Sequence, residues 1–197
     1  RHRRLLRRGL PEAGGGGMSD LFVLRPALPR DADDIARVHV ETWQSTYAGL
    51  VPSGYLARMS VARSSPQWHR AAAKAEKGND LMVAEVDRQV VGFVSFGPTR
   101  TPALPYSGEV YALYVGIDWQ GQGLGRRLLA TALDALAKEG HRGAMLWVLA
   151  ANPARFFYEA MGGERAGERM EAFAGSELEE LAYGWPDLES WLAQLRG

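Results

Sequence analysis

Glu109-Val-Tyr-Ala-Leu-Tyr-Val115, followed shortly by Gln120-Gly-Gln-Gly-Leu-Gly-Arg-Arg127, is the stretch that decides the fold. Its first part is rich in β-branched and aromatic residues and reads as a strand. Its second part is a glycine-rich turn that opens a helix, because apolar residues then recur at Leu128, Leu129, Ala132, Leu133 and Leu136 with helical spacing. Gly140 supplies a stop for that helix. Strand, glycine turn and helix make an anion site. The first amides of a helix lack intrahelical partners, and the helix dipole favours negative charge there. Gly121, Gly123 and Gly125 carry no Cβ, so phosphates can approach the main chain closely.

Two glycine loops are excluded by spacing. A P-loop ends Gly-Lys-Ser/Thr, whereas this turn ends Gly-Leu-Gly-Arg-Arg. The dinucleotide loop needs Gly-x-Gly-x-x-Gly, which Gly121-Gln-Gly123-Leu-Gly125 does not supply. Downstream, Ala144-Met-Leu-Trp-Val-Leu149 is a continuous apolar run suited to a strand buried on both faces. The strand-helix-strand unit over 109–149 implies a parallel pair and an α/β core. Beyond it, Asn152 suits a helix cap, Pro153 a first helical position, and Gly162 or Gly163 a stop.

Gln120-x-x-Gly123-x-Gly125 after a strand ending Leu113-Tyr-Val115 resembles the acetyl-CoA loop of the GNAT family of N-acetyltransferases. The family often has a proline two residues beyond that strand, where this chain has Gly116-Ile117-Asp118. Asn152 followed by Phe157-Tyr158-Glu-x-x-Gly162 resembles the family's second CoA-contacting segment. Early in the chain, the resemblance continues through a short strand Leu21–Arg25 closed by Pro26 and a carboxylate-rich helix start over Pro29–Asp34. An amphipathic helix bearing Ile35, Val38, Thr42 and Trp43 on one face comes next. A hairpin of Leu81–Val86 and Val90–Phe96, turning over Asp87–Gln89 without the favoured glycine, is also usual in the family.

The resemblance implies one α/β domain with a mixed, mostly antiparallel central sheet flanked by helices, over residues 18–197. It implies acetyl transfer from acetyl-CoA, as cosubstrate, to a primary amine. With no cysteine in the chain, attack would be direct, in a ternary complex. The amides of Leu113 and Val115 would align the pantetheine arm, and those of Gln120, Gly121, Gln122, Gly123, Leu124, Gly125 and Arg126 would hold the pyrophosphate. Arg126 and Arg127 would add charge. Asn152 would bond the pantetheine arm, and the Tyr158 hydroxyl would sit by the thioester sulfur. A thiol titrates near about 8.5 and a phenol near about 10, so Tyr158 can protonate the leaving thiolate. Glu109, at the mouth of the central strand, could take the amine's proton. By alternation Glu109, Tyr111, Leu113 and Val115 share one face. Trp43, Tyr47 and Tyr111 would wall the acceptor site, and the three-proline loop Gly97–Gly108 could cover it.

Composition restricts the alternatives. Residues 1–17 hold five Arg and one Glu and end in Gly14–Gly17 before Met18, and they read as an unstructured leader or a segment foreign to the fold, with a basic arm for nucleic acid as the sharper possibility. Without them the 23 basic and 23 acidic residues fall to 18 and 22, a balance of −4 that argues against nucleic acid as the main partner. No apolar run is long enough to span a membrane. The lack of cysteine excludes disulfides and thiolate zinc sites, no metal is implied, and it suits a cytoplasmic setting. Helix is expected from Leu56 to Lys77, broken around Ser64-Ser-Pro66, with Trp68 as an anchor and a turn at Gly78–Asp80. A strand over Glu168–Phe173, another over Leu178–Trp185 and a terminal helix complete the reading, and exposed edge strands there would permit a homodimer. The acceptor stays open between a small-molecule amine, which is favoured, and a protein N-terminus or lysine. A CoA-binding module without turnover and an unrelated nucleotide-binding domain are the competing classes.

Overall fold

A computed structural model describes residues 22–75 and 80–196 of the chain. The leader 1–17, residue Leu21 of the first strand, Lys77 at the end of the helical stretch and Gly78–Asn79 of the expected turn lie outside the described residues. Among them the elements are β1 (Val23–Pro26), α1 (Ala32–Thr46), α2 (Ser53–Arg58), α3 (Val61–Ala75), β2 (Leu81–Val86), β3 (Gln89–Pro98) and β4 (Gly108–Val115). After these come α4 (Leu124–Lys138), β5 (Ala144–Leu149), α5 (Ala154–Ala160), β6 (Glu164–Phe173), β7 (Ser176–Trp185) and α6 (Leu188–Arg196). Single 3₁₀ turns, Pro29–Asp31 and Ile117–Trp119, lead into α1 and into the glycine loop.

The strands form one mixed sheet ordered β1-β2-β3-β4-β5-β7-β6, in which only β4 and β5 are parallel. The fold is the expected mostly antiparallel α/β sheet. The apolar stripe of α4, Leu124, Leu128, Leu129, Ala132, Leu133 and Leu136, is buried on one face against Val94, Phe96, Val110, Leu146 and Tyr183. Each leucine so buried contributes about 1.5–3 kcal/mol. On the other face α1 and α3 bury Ile35, Val38, Trp68 and Ala72 against Val83, Val90 and Phe93. Trp68 thus anchors α3, as expected.

Four local expectations are corrected. The helix does not break at Pro66, which lies inside α3; the break falls at Met59–Ser60, between α2 and α3. Pro66 and Ala62 are both exposed, so water can satisfy the Ala62 carbonyl that loses its intrahelical donor. The β2–β3 turn is two residues, not three, with Asp87 and Arg88 both left-handed at φ 48° and 67°. That geometry matches strand twist even without glycine. β6 begins at Glu164 rather than Glu168, since β7 pairs with it along its whole length apart from a register shift between Arg165 and Gly167.

The fourth correction matters most for the site. Ser95 pairs with Ala112 and Phe96 with Val110, which leaves Tyr111 as an extra residue in β4. This bulge shifts the alternation by one residue. Val110 therefore packs into the α4-side core with Val115, and Leu113 lies against that core. Glu109 instead turns toward the same chamber as Tyr114. The expected single face of Glu109, Tyr111, Leu113 and Val115 does not form.

Candidate active site

β4 and β5 pair only at Gly108–Ala144 and Glu109–Met145, and then diverge. The gap this leaves in the sheet holds two adjacent chambers. The larger, about 570 Å³, runs from the glycine loop to Tyr158; the smaller, about 220 Å³, lies beyond it toward β6 and β7. Tyr47, Val110, Tyr111, Tyr114 and Trp147 line both, so they mark the junction.

At one end of the larger chamber the glycines of the loop present main chain to the cavity. Gly121 and Gly123 adopt φ of 72° and 80°, a region that favours glycine, and Gly123 caps α4. The first bond of the helix runs from Arg127 N–H to Gly123 O, which leaves the amides of Leu124, Gly125 and Arg126 without intrahelical partners. A Cβ on Gly125 would come within 3.6 Å of the Phe157 ring, so the close packing here is against protein. The Gln120 side chain donates to Val115 O at 3.0 Å and Gln122 to Asp118 O at 2.9 Å, so both shape the loop. Gln122 and Leu124 do not line the chamber; the Leu124 side chain is in the core, leaving only its amide to face an anion. Gly116 N–H bonds Val91 O across to β3. By ladder alternation, the N–H groups of Leu113 and Val115 point the other way, into the gap.

At the far end of this chamber Asn152 is buried. Its Oδ1 accepts from Ala154 N–H at 2.9 Å, capping α5, and its Nδ2 donates to the Tyr47 hydroxyl at 3.1 Å. One amide hydrogen of Asn152 is left over. Tyr158 is buried against Phe157, and burial, with Tyr47 nearby, pushes its phenol well above the ordinary value. It is a proton donor throughout the physiological range.

The smaller chamber is walled by side chains. Glu109 is only 2% exposed, not at an open strand mouth. Its Oε2 accepts from Arg100 N–H at 2.7 Å and from the Thr99 hydroxyl at 3.5 Å. Its Oε1 accepts from the Arg100 guanidinium, at 2.9 Å from Nη2 and 3.2 Å from Nε. The guanidinium lies 4.0 Å over the Tyr111 ring, whose hydroxyl donates to Pro98 O at 2.5 Å. Trp43 and Tyr47 are brought together at 4.6 Å, and Trp43 Nε1 donates to the Tyr114 hydroxyl at 2.9 Å. Phe173, at the tip of the β6–β7 hairpin, packs on Tyr55 at 4.6 Å and Trp43 at 5.8 Å and closes one side. Opposite, Arg169 lies 4.1 Å over Trp147 and is held by Glu180 through Nε at 2.8 Å and Nη2 at 2.7 Å.

His39 is behind this wall, 5.4 to 5.6 Å from the rings of Trp43, Trp68 and Tyr114. Its buried Nδ1 has no hydrogen-bond partner among the described residues, and burial lowers its pKa to about 4, so the ring is neutral. Every residue proposed from sequence except Gln122, Leu124 and Arg127 lines one chamber or the other, and the Arg127 guanidinium lies 4.5 Å over the Phe22 ring instead. Sequence reasoning missed Arg100, Tyr114, Trp147, Arg169, Phe173 and Glu180. Tyr114 was within reach, as the next position along the quoted strand, but nothing local marks the others. Among the described residues no group of three or more His, Cys, Asp or Glu side chains is placed to hold a metal, and no helix is long and apolar enough to cross a membrane.

Comparison with known proteins gives consistent matches. The family model of the acetyltransferase (GNAT) domain matches residues 77–162. The chain is 36% identical over 171 residues to the uncharacterized N-acetyltransferase YuaI of Bacillus subtilis, covering 86% of this chain and 96% of that one. Among solved structures, YncA of Salmonella typhimurium, a putative acetyltransferase with its cofactor acetyl-CoA, superposes with a TM-score of 0.66 at 20% identity, over 86% of this chain and 95% of that one. The PaiA N-acetyltransferase of Thermoplasma acidophilum, in complex with coenzyme A, superposes with a TM-score of 0.63 at 20% identity, over 83% and 99%.

Proposed function

Because the chain belongs to the GNAT N-acetyltransferase family, we propose that it moves the acetyl group of acetyl-CoA, the family's cosubstrate, to the primary amine of a small molecule by direct attack in a ternary complex. The observation that carries this reading is the pair of chambers meeting inside the β4–β5 gap. One suits a long, phosphate-ended ligand, and the other suits a compact second substrate.

The open amides at the start of α4 and in the glycine loop hold the pyrophosphate, with Arg126 adding charge. The inward amides of Leu113 and Val115 and the remaining amide hydrogen of Asn152 align the pantetheine arm, and a β4 amide polarises the thioester carbonyl. The amine reaches the junction past Trp43, Tyr47 and Tyr111. Its nitrogen forms the C–N bond as the C–S bond breaks. Glu109 takes the proton that turns the ammonium into a free amine, directly or through water; Tyr158 gives its own to the departing thiolate and regains one from the nitrogen as the amide forms. Each proton transfer contributes roughly 10²–10⁴-fold in rate. A chamber of about 220 Å³ closed by Phe173 favours a compact acceptor over a folded polypeptide surface.

The test is calorimetric titration with acetyl-CoA, followed by thiol release with a panel of primary amines. Tyr158→Phe and Glu109→Gln should each lower kcat about 100-fold while acetyl-CoA affinity stays within about twofold. Absence of acetyl-CoA binding, or unchanged kcat in both variants, overturns the reading.

A further inference from the structure

The two oxygens of Glu109 are held in different ways. Oε2 is fixed by the main chain at Arg100 and by Thr99, on a loop base that Thr99 N–H secures to Ser107 O at 2.8 Å. Among the described residues, Oε1 is held only by the Arg100 guanidinium. The two partners of that ion pair differ in setting: the Glu109 side chain is 3% exposed and the Arg100 side chain 63%. A buried carboxylate without a cation costs several kcal/mol. The Arg100 guanidinium, mostly in water already, can return to solvent with little loss of its own hydration or packing. Glu109 therefore needs a cation beside Oε1, but it does not need that cation to be Arg100.

The walls around Oε1 suit another cation. Trp43, Tyr47, Tyr114, Trp147 and Phe173 turn aromatic surface into the chamber, and aromatic faces attract an ammonium that has shed water. The second arginine, Arg169, is engaged by Glu180 and lies on Trp147.

We propose that Arg100 is an internal occupant of the acceptor's ammonium position: a compact cationic amine enters the smaller chamber, takes Oε1 of Glu109 from the Arg100 guanidinium, and so places its nitrogen beside the group that receives its proton. This rests on the assignment of the smaller chamber to the acceptor. The exchange makes Arg100 a specificity residue. A cationic amine replaces the lost charge; an uncharged nucleophile displaces the guanidinium and leaves Glu109 without a counter-ion.

Arg100→Gln tests it, with benzylamine as the cationic probe and O-benzylhydroxylamine, one atom longer and uncharged at neutral pH, as its neutral counterpart. With competition removed, the KM for benzylamine should fall about fivefold relative to wild type, and the preference for benzylamine over the hydroxylamine should grow by a similar factor. The KM for acetyl-CoA should not move. Arg100→Lys should restore wild-type values. Heat gives a readout without turnover: Arg100→Gln should melt below wild type and recover with millimolar benzylamine, but not with O-benzylhydroxylamine. A raised benzylamine KM in Arg100→Gln, equal changes for both probes, or protection by both overturns the exchange. If wild type releases no thiol with either probe while benzylamine alone still protects the variant, the exchange stands and the catalytic assignment fails. If wild type turns over and the variant shows neither preference nor selective protection, the exchange fails alone.

Discussion

The two chambers draw on different parts of the chain. The larger is built around one continuous stretch, β4 through the start of α4, completed by α1, β5 and the Asn152–Tyr158 segment, and at its glycine loop it offers backbone amides. The smaller gathers α1, the loop before β4, β4 itself and the β5, β6 and β7 strands, and it offers side chains. Backbone recognition needs only a local conformation, which a few glycines set. Side-chain recognition needs distant residues to meet, which only tertiary packing decides. The difference implies that the proposed cosubstrate end should resist side-chain changes and fail on backbone changes, and that the proposed acceptor end should do the reverse.

The sharpest break is at Gly123. No atom lies within 4 Å of a Cβ placed there, so the damage comes from its φ of 80° rather than from a clash. Gly123→Val should force the loop out of the left-handed region and weaken acetyl-CoA binding about 100-fold, losing charge-assisted amide bonds worth roughly 1.5–3 kcal/mol each. Calorimetry reads this directly, and wild-type affinity would show that the amides are not the binding groups.

Acid should act on the side-chain chamber through the wall behind it. The His39 imidazole takes up a proton near pH 6.5 in the unfolded chain but only near about 4 in the folded one, because burial disfavours the charged ring. Its contribution is therefore intact above about pH 6.5. It is lost as pH falls toward 4, because the unfolded state gains the proton first, by on the order of 2–3 kcal/mol. Urea melts of His39→Leu should show a flatter dependence over that range; an unchanged slope would place the titration elsewhere.

Phe173→Ala opens the smaller chamber without touching the larger. The acceptor KM should rise about tenfold with the acetyl-CoA KM unchanged, and a rise in both would mean the chambers are not separable. The smallest effect is expected at Gln122, in the middle of the glycine motif. Its side chain only braces Asp118 O, so Gln122→Ala should leave acetyl-CoA affinity within about twofold.

These expectations also measure how far the sequence could be read. The α4 stripe, the glycine loop and the Asn152 cap are local patterns, and each lies where its periodicity or turn chemistry puts it. The Tyr111 bulge is not local: it is a matter of register with β3, and one extra residue moved Glu109 to another face. Pro66 read as a helix breaker because nothing nearby says that its side of α3 is exposed. Arg100 sits nine positions before Glu109, across an irregular loop, and the Asn152–Tyr47 bond spans 105 positions. Such pairs leave no periodic trace.

The two rungs between β4 and β5 have a mechanical consequence. On the α4 face, residues from both sides of the gap share one core, with Val110, Val115, Leu146 and Tyr183 all packed around α4. On the α1 face the two sides share only a smaller cluster, Leu149, Phe173 and Leu178 around Tyr47, Val51 and Leu56, with the bonds Asn152 to Tyr47 and Trp147 Nε1 to Thr101 Oγ1. The molecule is thus bound like a book, with α4 as its spine and a four-strand and a three-strand cover. A bulkier guest would part the covers on the α1 side and leave the spine intact.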